Sequence, residues 1–118
     1  MQAPARTSAR LTRAGREMRP HAAKASELLK ALSNEQRLMI LCHLVAGPLS
    51  VSQINERLQL SQSALSQHLG ILRNSGIVAT MRESQSIIYS LPAGIATRII
   101  GLLHEEFCSP SVMRRESL

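Results

Sequence analysis

The fold of this chain is decided by residues 50–74, which read SVSQINERLQLSQSALSQHLGILRN. Ser50 and Gln53 form the S-x-x-Q pattern of a capping box, in which each side chain satisfies a backbone N–H at the start of a helix. Ser61 opens a second helix after a break at Leu60. Apolar residues recur at helical spacing in both segments: Val51, Ile54, Leu58, Leu65, Leu69 and Leu72. Two short helices joined by a tight turn predict a helix-turn-helix.

Two further helices are predicted before this segment. The first begins near residue 22, and the second follows a capping box in which Ser33 accepts from the backbone N–H of Gln36. The second helix is expected to end at Gly47-Pro48, because glycine suits the left-handed terminator and proline cannot continue a helix. The apolar residues form one stripe on each helix: Ala25, Leu28, Leu29 and Leu32, then Leu38, Leu41, Leu44 and Val45.

After Gly76 the apolar period changes from 3.6 to 2. Residues 77–81 and 86–91 are β-branched and alternating, and the polar residues 82–85 separate them, which predicts a β-hairpin with a polar tip. Pro92 is expected to begin a last helix. Its apolar stripe is Ile95, Ile99, Leu102, Leu103 and Phe107. The predicted fold class is therefore mostly α with a small β-hairpin, a winged helix-turn-helix.

The charge of the chain points to an anionic partner. Fourteen Lys and Arg stand against eight Glu and no Asp, which gives 118 residues a formal net charge of +6. The aromatic residues are Tyr89 and Phe107, too few for the stacking platform that reads single-stranded nucleic acid. The anionic partner is nucleic acid or an acidic membrane surface, and if it is nucleic acid we expect double-stranded DNA.

Several other classes of protein are excluded by composition. Apolar runs reach only four residues, as at residues 38–41, which predicts no membrane span, and no apolar stretch of a secretory signal follows the basic N-terminus. Two cysteines are too few for a disulfide-stapled secreted fold, so we expect a cytoplasmic protein with reduced thiols. Without a Gly-rich phosphate loop or a nucleophile–base motif, neither enzymatic activity nor a cofactor is predicted.

The positive charge is concentrated before the predicted domain. Residues 1–20 hold five arginines and one glutamate, a net charge of +4, without apolar periodicity. We predict a disordered basic arm over 1–20, with an arm that touches DNA phosphates and an organelle transit peptide as alternatives. Residues 21–108 form the DNA-binding and dimerisation domain in this prediction, and residues 109–118 a frayed tail.

The helix over 61–74 is the predicted recognition helix. Recognition helices enter the major groove with their N-terminal end first, and glutamine can pair with adenine through two hydrogen bonds. The predicted base-reading residues are Gln62, Ser63, Ser66 and Gln67. His68 completes the DNA-binding set on this helix; outside a DNA role we regard it, like His21, as a structural or surface residue.

Three arginines are candidates for contact with the DNA backbone. Arg73 lies at the end of the recognition helix, where it suits the helix dipole or a phosphate. Arg82 is expected at the tip of the wing, although Glu83 weakens the local positive field. Arg37 could reach phosphate or remain a solvated side chain.

Dimerisation is expected because one winged helix buries too little DNA for strong specificity. The first and last helices each carry an apolar stripe that is not needed to hold the wing. Two copies packing through these stripes would place their recognition helices about 34 Å apart, one turn of DNA. We therefore predict a homodimer on an inverted-repeat operator.

The motif S-x-S-x-L-S-x-H-L-x-x-L over residues 61–72, with the later R-x5-IYSL that starts at Arg82, resembles the ArsR-type winged-helix repressors. The resemblance extends over roughly residues 22–108. It implies homodimeric regulators that bind operator DNA, dimerise through their terminal helices and leave the DNA when an inducer binds.

Two metal sites of that family lack ligands in this sequence. The Cys-x-Cys box of metal-sensing members corresponds here to residues 48–52, which hold no thiol. Aligning the zinc motif of the last helix on His104 puts Leu91, Ala93 and Phe107 at the other ligand positions, and none of them can bind a metal.

The two cysteines, Cys42 and Cys108, resemble those of the HlyU/BigR/SqrR-like branch, where such a pair senses reactive sulfur or oxidants. The resemblance implies that the reduced protein binds DNA and that a disulfide or polysulfide link changes its affinity. His104 shares a helix face with Cys108 and could favour its thiolate. Two alternatives remain open: inert cysteines in a constitutive DNA-binding module, Cys42 then being a small core residue, and a new metal site formed by Cys42, His104 and Cys108 with His43.

Overall fold

The computed structural model describes residues 10–108, and the boundary between two compact units falls after Lys30. The helices are α1 (Arg13–Met18), a 3₁₀ turn (Arg19–His21), α2 (Ala22–Leu32), α3 (Glu35–Val45), α4 (Val51–Leu58), α5 (Gln62–Asn74) and α6 (Ile95–Cys108). The strands are β1 (Leu49–Ser50), β2 (Ala79–Glu83) and β3 (Ser86–Ser90). The predicted mostly helical architecture with a small β-hairpin is confirmed. No helix in this described part is long and apolar enough to cross a membrane.

Helix α1 lies in the basic arm, where the sequence predicted disorder. Thr12 caps it by accepting from the N–H of Gly15 at 3.1 Å. Arg13 Nε binds Glu17 Oε2 at 3.1 Å one turn later, and Arg16 donates to the Leu11 carbonyl at 2.6 Å. These local bonds stabilise a turn that buries no side chain, which apolar periodicity could not reveal. Residues 1–9 of the arm and the predicted tail, 109–118, lie outside the described residues.

Helix α3 is central to the unit that begins at Ala31. It packs against α4, α5 and α6, and its residues Ile40, Leu41 and Leu44 are fully or almost fully buried. The other buried apolar residues of this unit are Ala31, Leu32, Ile54, Leu65, Leu69, Leu72, Ile77, Val78, Tyr89, Ala96 and Ile100. No polar or charged side chain is buried among residues 10–108, so the core is entirely apolar.

The start of α3 differs from its prediction by one residue. Asn34 is the N-cap, and its Oδ1 accepts from the N–H of Arg37 at 3.0 Å. The sequence assigned this role to Ser33. Both residue types suit an N-cap, so the pattern alone did not choose between neighbours. The helix ends before Gly47, as predicted.

The helix-turn-helix is held by hydrogen bonds within its own segment. The predicted capping box is present: Ser50 Oγ accepts from Gln53 N–H at 3.2 Å, and Gln53 Oε1 accepts from Ser50 N–H at 2.9 Å. In the turn, Asn55 donates to the Leu60 carbonyl at 3.0 Å and accepts from the Leu60 N–H at 2.8 Å. Gln59 adopts a left-handed conformation with φ 56°. Ser61 then caps α5, as predicted.

The sheet is antiparallel with the order β1-β3-β2, and β1 was not predicted. Leu49 and Ser50 pair with Tyr89 and Ile88, which ties the start of the helix-turn-helix to the wing. A two-residue strand is too short to show a period of 2, so sequence periodicity could not detect it.

The turn of the wing hairpin is tighter than predicted, because its first strand lies two residues later in the sequence. The strands extend to Glu83 and restart at Ser86, leaving only Ser84 and Gln85 in the turn. Ser84 has φ 57°, a conformation that two-residue hairpin turns require and that glycine or asparagine usually marks. Arg82 is therefore not at the tip; it lies within β2, opposite Ile87.

Helix α6 begins at Ile95, three residues after the predicted start at Pro92. The Gly94 carbonyl accepts the first helical bond, from Arg98 N–H at 3.1 Å, and the Thr97 hydroxyl donates to the Pro92 carbonyl at 2.8 Å. These contacts make residues 92–94 an entry turn. The buried face of α6 carries Ala96 and Ile100.

We expect Leu72→Ala to destabilise the folded domain by about 2–5 kcal/mol, because Leu72 is fully buried and the substitution leaves a cavity. Urea unfolding at fixed protein concentration with reductant measures the change. Ile71→Ala is the matched control: Ile71 is the preceding residue, is 38% exposed, and should cost less than about 1 kcal/mol. Equal losses for the two variants would contradict this packing.

Candidate DNA interface and cysteine pair

Helix α5 separates an apolar face from a polar one. Leu65, Leu69 and Leu72 are buried, whereas the four predicted base-reading residues are all exposed: Gln62, Ser63, Ser66 and Gln67. These four share one side of the first turns, because a helix turns about 100° per residue. The first turn contains no acidic residue, so nothing there repels a phosphate from the N-terminal N–H groups.

His68 lies at the edge of that polar face, and the structure gives it an internal partner. It is half-buried, and its Nδ1 lies 3.3 Å from Nη1 of Arg37 on α3. The same guanidinium donates through Nε to the Ala31 carbonyl at the end of α2, at 2.6 Å. Arg37 is therefore neither a solvated arginine nor one directed only at DNA. Sequence reasoning did not find this pair, because the two residues are 31 positions apart.

The other two predicted arginines are exposed. Arg73 lies in the last turn of α5, where its charge complements the helix dipole. Arg82 lies on β2 of the wing, with the exposed Glu83 next to it. Arg73 and Arg82 therefore place one exposed cation at the end of α5 and one on the wing.

A cleft of about 690 Å³ lies between the start of α5, helix α4 and the wing. Its polar lining includes Asn55, Gln62, Ser66 and Gln85. Of the described residues that line it, only Glu56 is ionisable. Sequence reasoning did not predict this cleft, because it depends on how the hairpin packs beside the helix-turn-helix.

The two cysteines are free thiols and both are exposed. Cys42 lies on α3 and Cys108 ends α6, and these two helices pack together. Partial burial raises the pKa of the Cys42 thiol, and electrostatic repulsion from Cys108 raises it further. The two thiols are therefore close enough for the charge of one to affect the other. Cys42 is exposed, so it is not a core residue.

Among residues 10–108, no three or more His, Cys and Glu side chains lie close enough together to hold a metal ion. His104, predicted as a partner of Cys108, is exposed, and His43 is half-buried.

An apolar surface on α6 faces outward. Ile95, Leu102, Leu103 and Phe107 are all exposed, with 64% of Leu102 and 66% of Phe107 accessible. These residues belong to the stripe that the sequence predicted. The core contacts of α6 use Ala96 and Ile100 instead, so these four side chains are not covered by any of residues 10–108.

Comparison with known proteins places these features in a family. The profile of the family described as bacterial regulatory protein, arsR family, matches residues 34–80. The transcriptional activator HlyU of Vibrio cholerae is 50% identical over 92 residues, which cover 78% of this chain and 85% of HlyU. The biofilm growth-associated repressor of Agrobacterium fabrum is 42% identical over 93 residues, covering 79% of this chain and 80% of the repressor.

Solved structures agree with these relatives. Reduced HlyU from Vibrio cholerae has a TM-score of 0.74 and 49% identity, covering 79% of this chain and 98% of that chain. A homodimeric winged helix-turn-helix DNA-binding domain from Mycobacterium bovis has a TM-score of 0.66 and 26% identity, covering 72% of this chain and 79% of that chain.

The exposed polar face of α5, the wing beside it and these likenesses lead to one identification. The chain belongs to the ArsR family of winged helix-turn-helix, DNA-binding transcriptional regulators, close to HlyU and BigR.

Proposed function

We propose that this protein is a homodimeric repressor that binds an inverted-repeat operator and is switched by oxidation or persulfidation of Cys42 and Cys108. The observation that carries the switch is that both thiols are free and exposed, one on each of the packed helices α3 and α6. The names of its relatives include both an activator and a repressor. With α5 formed and exposed while both thiols are free, we propose that the reduced protein occupies its operator and represses transcription there.

The first turns of α5 supply the base contacts in this proposal. The side chains of Gln62, Ser63, Ser66 and Gln67 are free to enter the major groove. Arg73 and Arg82 contact the DNA backbone from the end of α5 and from the wing.

Dimerisation uses the exposed apolar residues of α6 together with those of α2. A second copy of the chain would cover Leu102, Leu103 and Phe107, which water otherwise surrounds. A related winged helix-turn-helix domain is homodimeric. Residues 21–108 form the functional domain in this proposal, with residues 1–20 and 109–118 as accessory segments.

The switch requires a reaction in which both thiols take part. With an organic persulfide R–S–SH, one cysteine thiolate attacks the outer sulfur, an S–S bond to the cysteine forms, and R–S⁻ leaves. The thiolate of the second cysteine then attacks the sulfur of the persulfidated cysteine, which closes a Cys42–Cys108 disulfide and releases HS⁻. Peroxide reaches the same disulfide through a sulfenic acid, with loss of water.

A bridge between α3 and α6 would act on DNA binding through packing. Helix α3 also packs against α5, so a covalent link that shifts α3 changes the support of the recognition helix. In this proposal the reduced protein, with α5 formed and exposed, is the state that binds DNA.

A constitutive DNA-binding module with inert cysteines is the second candidate. The raised pKa of Cys42 favours it, because a thiol that stays protonated is a weak nucleophile. The experiments on the cysteines distinguish the two functions.

Gln67→Ala should weaken binding to the operator roughly 5- to 100-fold, the loss expected for one bidentate base contact. Fluorescence anisotropy with a duplex that the wild-type protein enriches from a random-sequence pool measures it. Asn74→Ala is the control, since Asn74 is exposed at the far end of α5. Unchanged affinity in Gln67→Ala would place the reading surface elsewhere.

Cys42→Ser and Cys108→Ser should each abolish the release of operator DNA by a polysulfide donor, while the reduced variants bind as the wild type does. Anisotropy before and after treatment, with a dithiothreitol reversal step, follows the switch. If both variants still release DNA like the wild type, the cysteines are not the sensor, although the DNA-binding assignment would stand.

The reactivity of Cys42 should depend on Cys108. A raised pKa leaves little thiolate at neutral pH, so alkylation of Cys42 is slow and accelerates as the pH rises. Cys108→Ser removes the repulsion and lowers the pKa, so Cys42 should react faster with iodoacetamide at pH 7.5, as measured by peptide mass spectrometry. Glu105→Gln is the control. It removes a negative charge from the same helix, and that charge does not contribute to the raised pKa of Cys42. An equal rate in wild type and Cys108→Ser would contradict the interaction.

A further inference from the structure

Arg37 joins three helices at the base of the recognition helix. Its own N–H is bound to the N-cap Asn34, its Nε donates to the Ala31 carbonyl of α2 at 2.6 Å, and its Nη1 lies 3.3 Å from His68 Nδ1 of α5. Both Arg37 and His68 are half-buried. The guanidinium is therefore fixed by a backbone acceptor on one side and presents a nitrogen to the imidazole on the other.

The hydrogen bond between Arg37 and His68 determines which ring nitrogen of His68 carries the proton. A guanidinium carries only donors, so a hydrogen bond to His68 requires Nδ1 to accept. An imidazole that accepts at Nδ1 is neutral and carries its proton on Nε2. The structure gives Nε2 no hydrogen-bond partner among residues 10–108.

The position of His68 on α5 determines which acceptor its Nε2–H can reach. His68 follows Gln67 directly and lies at the edge of the exposed face of α5. A neutral N–H at the rim of a recognition helix suits a phosphate oxygen, because backbone contacts of this kind fix the register of a helix in the groove.

We propose that Arg37 is a positioning residue for DNA binding, which acts through His68. Arg37, anchored on the Ala31 carbonyl, holds the imidazole so that Nε2–H donates to a phosphate of the operator. This inference rests on the DNA-binding role of α5. In this proposal α3 supports DNA binding through Arg37, and the same helix carries Cys42.

Two substitutions test the roles of the two ring nitrogens of His68 separately. His68→Asn keeps a side-chain acceptor near the position of Nδ1 and removes the donor at Nε2. His68→Gln places its amide near the position of Nε2 and removes the acceptor that faces Arg37. Arg37→Met is then introduced into the wild-type, His68→Asn and His68→Gln backgrounds, and operator affinity is measured under reducing conditions.

We expect Arg37→Met to lower affinity about tenfold in the wild type, the size of a lost hydrogen bond to a charged group. In His68→Gln the same substitution should cost less than about twofold, because the link to Arg37 is already absent. In His68→Asn, affinity is reduced but no phosphate donor remains to be positioned, so Arg37→Met should again cost less than about twofold.

Melting temperatures distinguish an effect of Arg37 on the orientation of His68 from an effect on the stability of the fold. His68→Asn keeps the hydrogen bond from Arg37, so Arg37→Met should lower the melting temperature in the wild type and His68→Asn and lower it less in His68→Gln. Arg57→Met, which removes an arginine bonded to its own helix at Gln53, is the matched control and should show no such dependence on His68.

An equal loss of affinity on Arg37→Met in all three backgrounds would overturn the proposal, since Arg37 would then contact DNA directly or act only on folding. Should Arg37→Met fail to fold, Arg37→Lys tests the same dependence, because one ammonium cannot reproduce both bonds of the guanidinium. Absence of any operator binding by the wild-type protein would instead contradict the DNA-binding role itself.

Discussion

The burial of one side of helix α3 is the constraint on which the rest of this domain depends. Ile40 and Leu41 are fully buried and Leu44 is almost so, and α4, α5 and α6 all pack against this helix. Because Leu65, Leu69 and Leu72 face the core, the opposite side of α5 has to face solvent. The polar surface that we propose reads DNA is therefore a consequence of how the core is filled. The other sides of α3 carry Arg37, next to the recognition helix, and Cys42, next to α6.

Charge and recognition are divided between different parts of the chain. Of the net charge of +6, the first twenty residues carry +4, and helix α1 carries part of it on Arg13 and Arg16. Lys and Arg attract any DNA through its phosphates and make binding sensitive to salt, but they do not read sequence. The surface proposed to read DNA is nearly neutral, made of exposed glutamine and serine side chains on α5. In the proposed function, specificity therefore comes from the packed domain.

Much of the fold could be predicted because its signals are local. The S-x-x-Q box at Ser50, the cap at Ser61 and the apolar stripes of α4 and α5 depend on residues a few positions apart. The exposure of Gln62, Ser63, Ser66 and Gln67 followed from the same periodicity. What could not be predicted depends on pairs distant in sequence, or on conformations that the residue type does not mark. Pairing of β1 with β3 and the Arg37–His68 contact are of the first kind; the left-handed Gln59 and Ser84 are of the second.

The most direct test of the central claim is the change in backbone amide chemical shifts when isotope-labelled, reduced protein is titrated with its selected operator duplex. The face of α5 that the core leaves exposed should respond most, so the largest changes are predicted at residues 61–68, with smaller ones around Arg82 on the wing. The apolar surface of α6, which we propose for dimerisation, should respond least. Largest changes on α6, with residues 61–68 unaffected, would contradict the assignment of α5 as the helix that reads DNA.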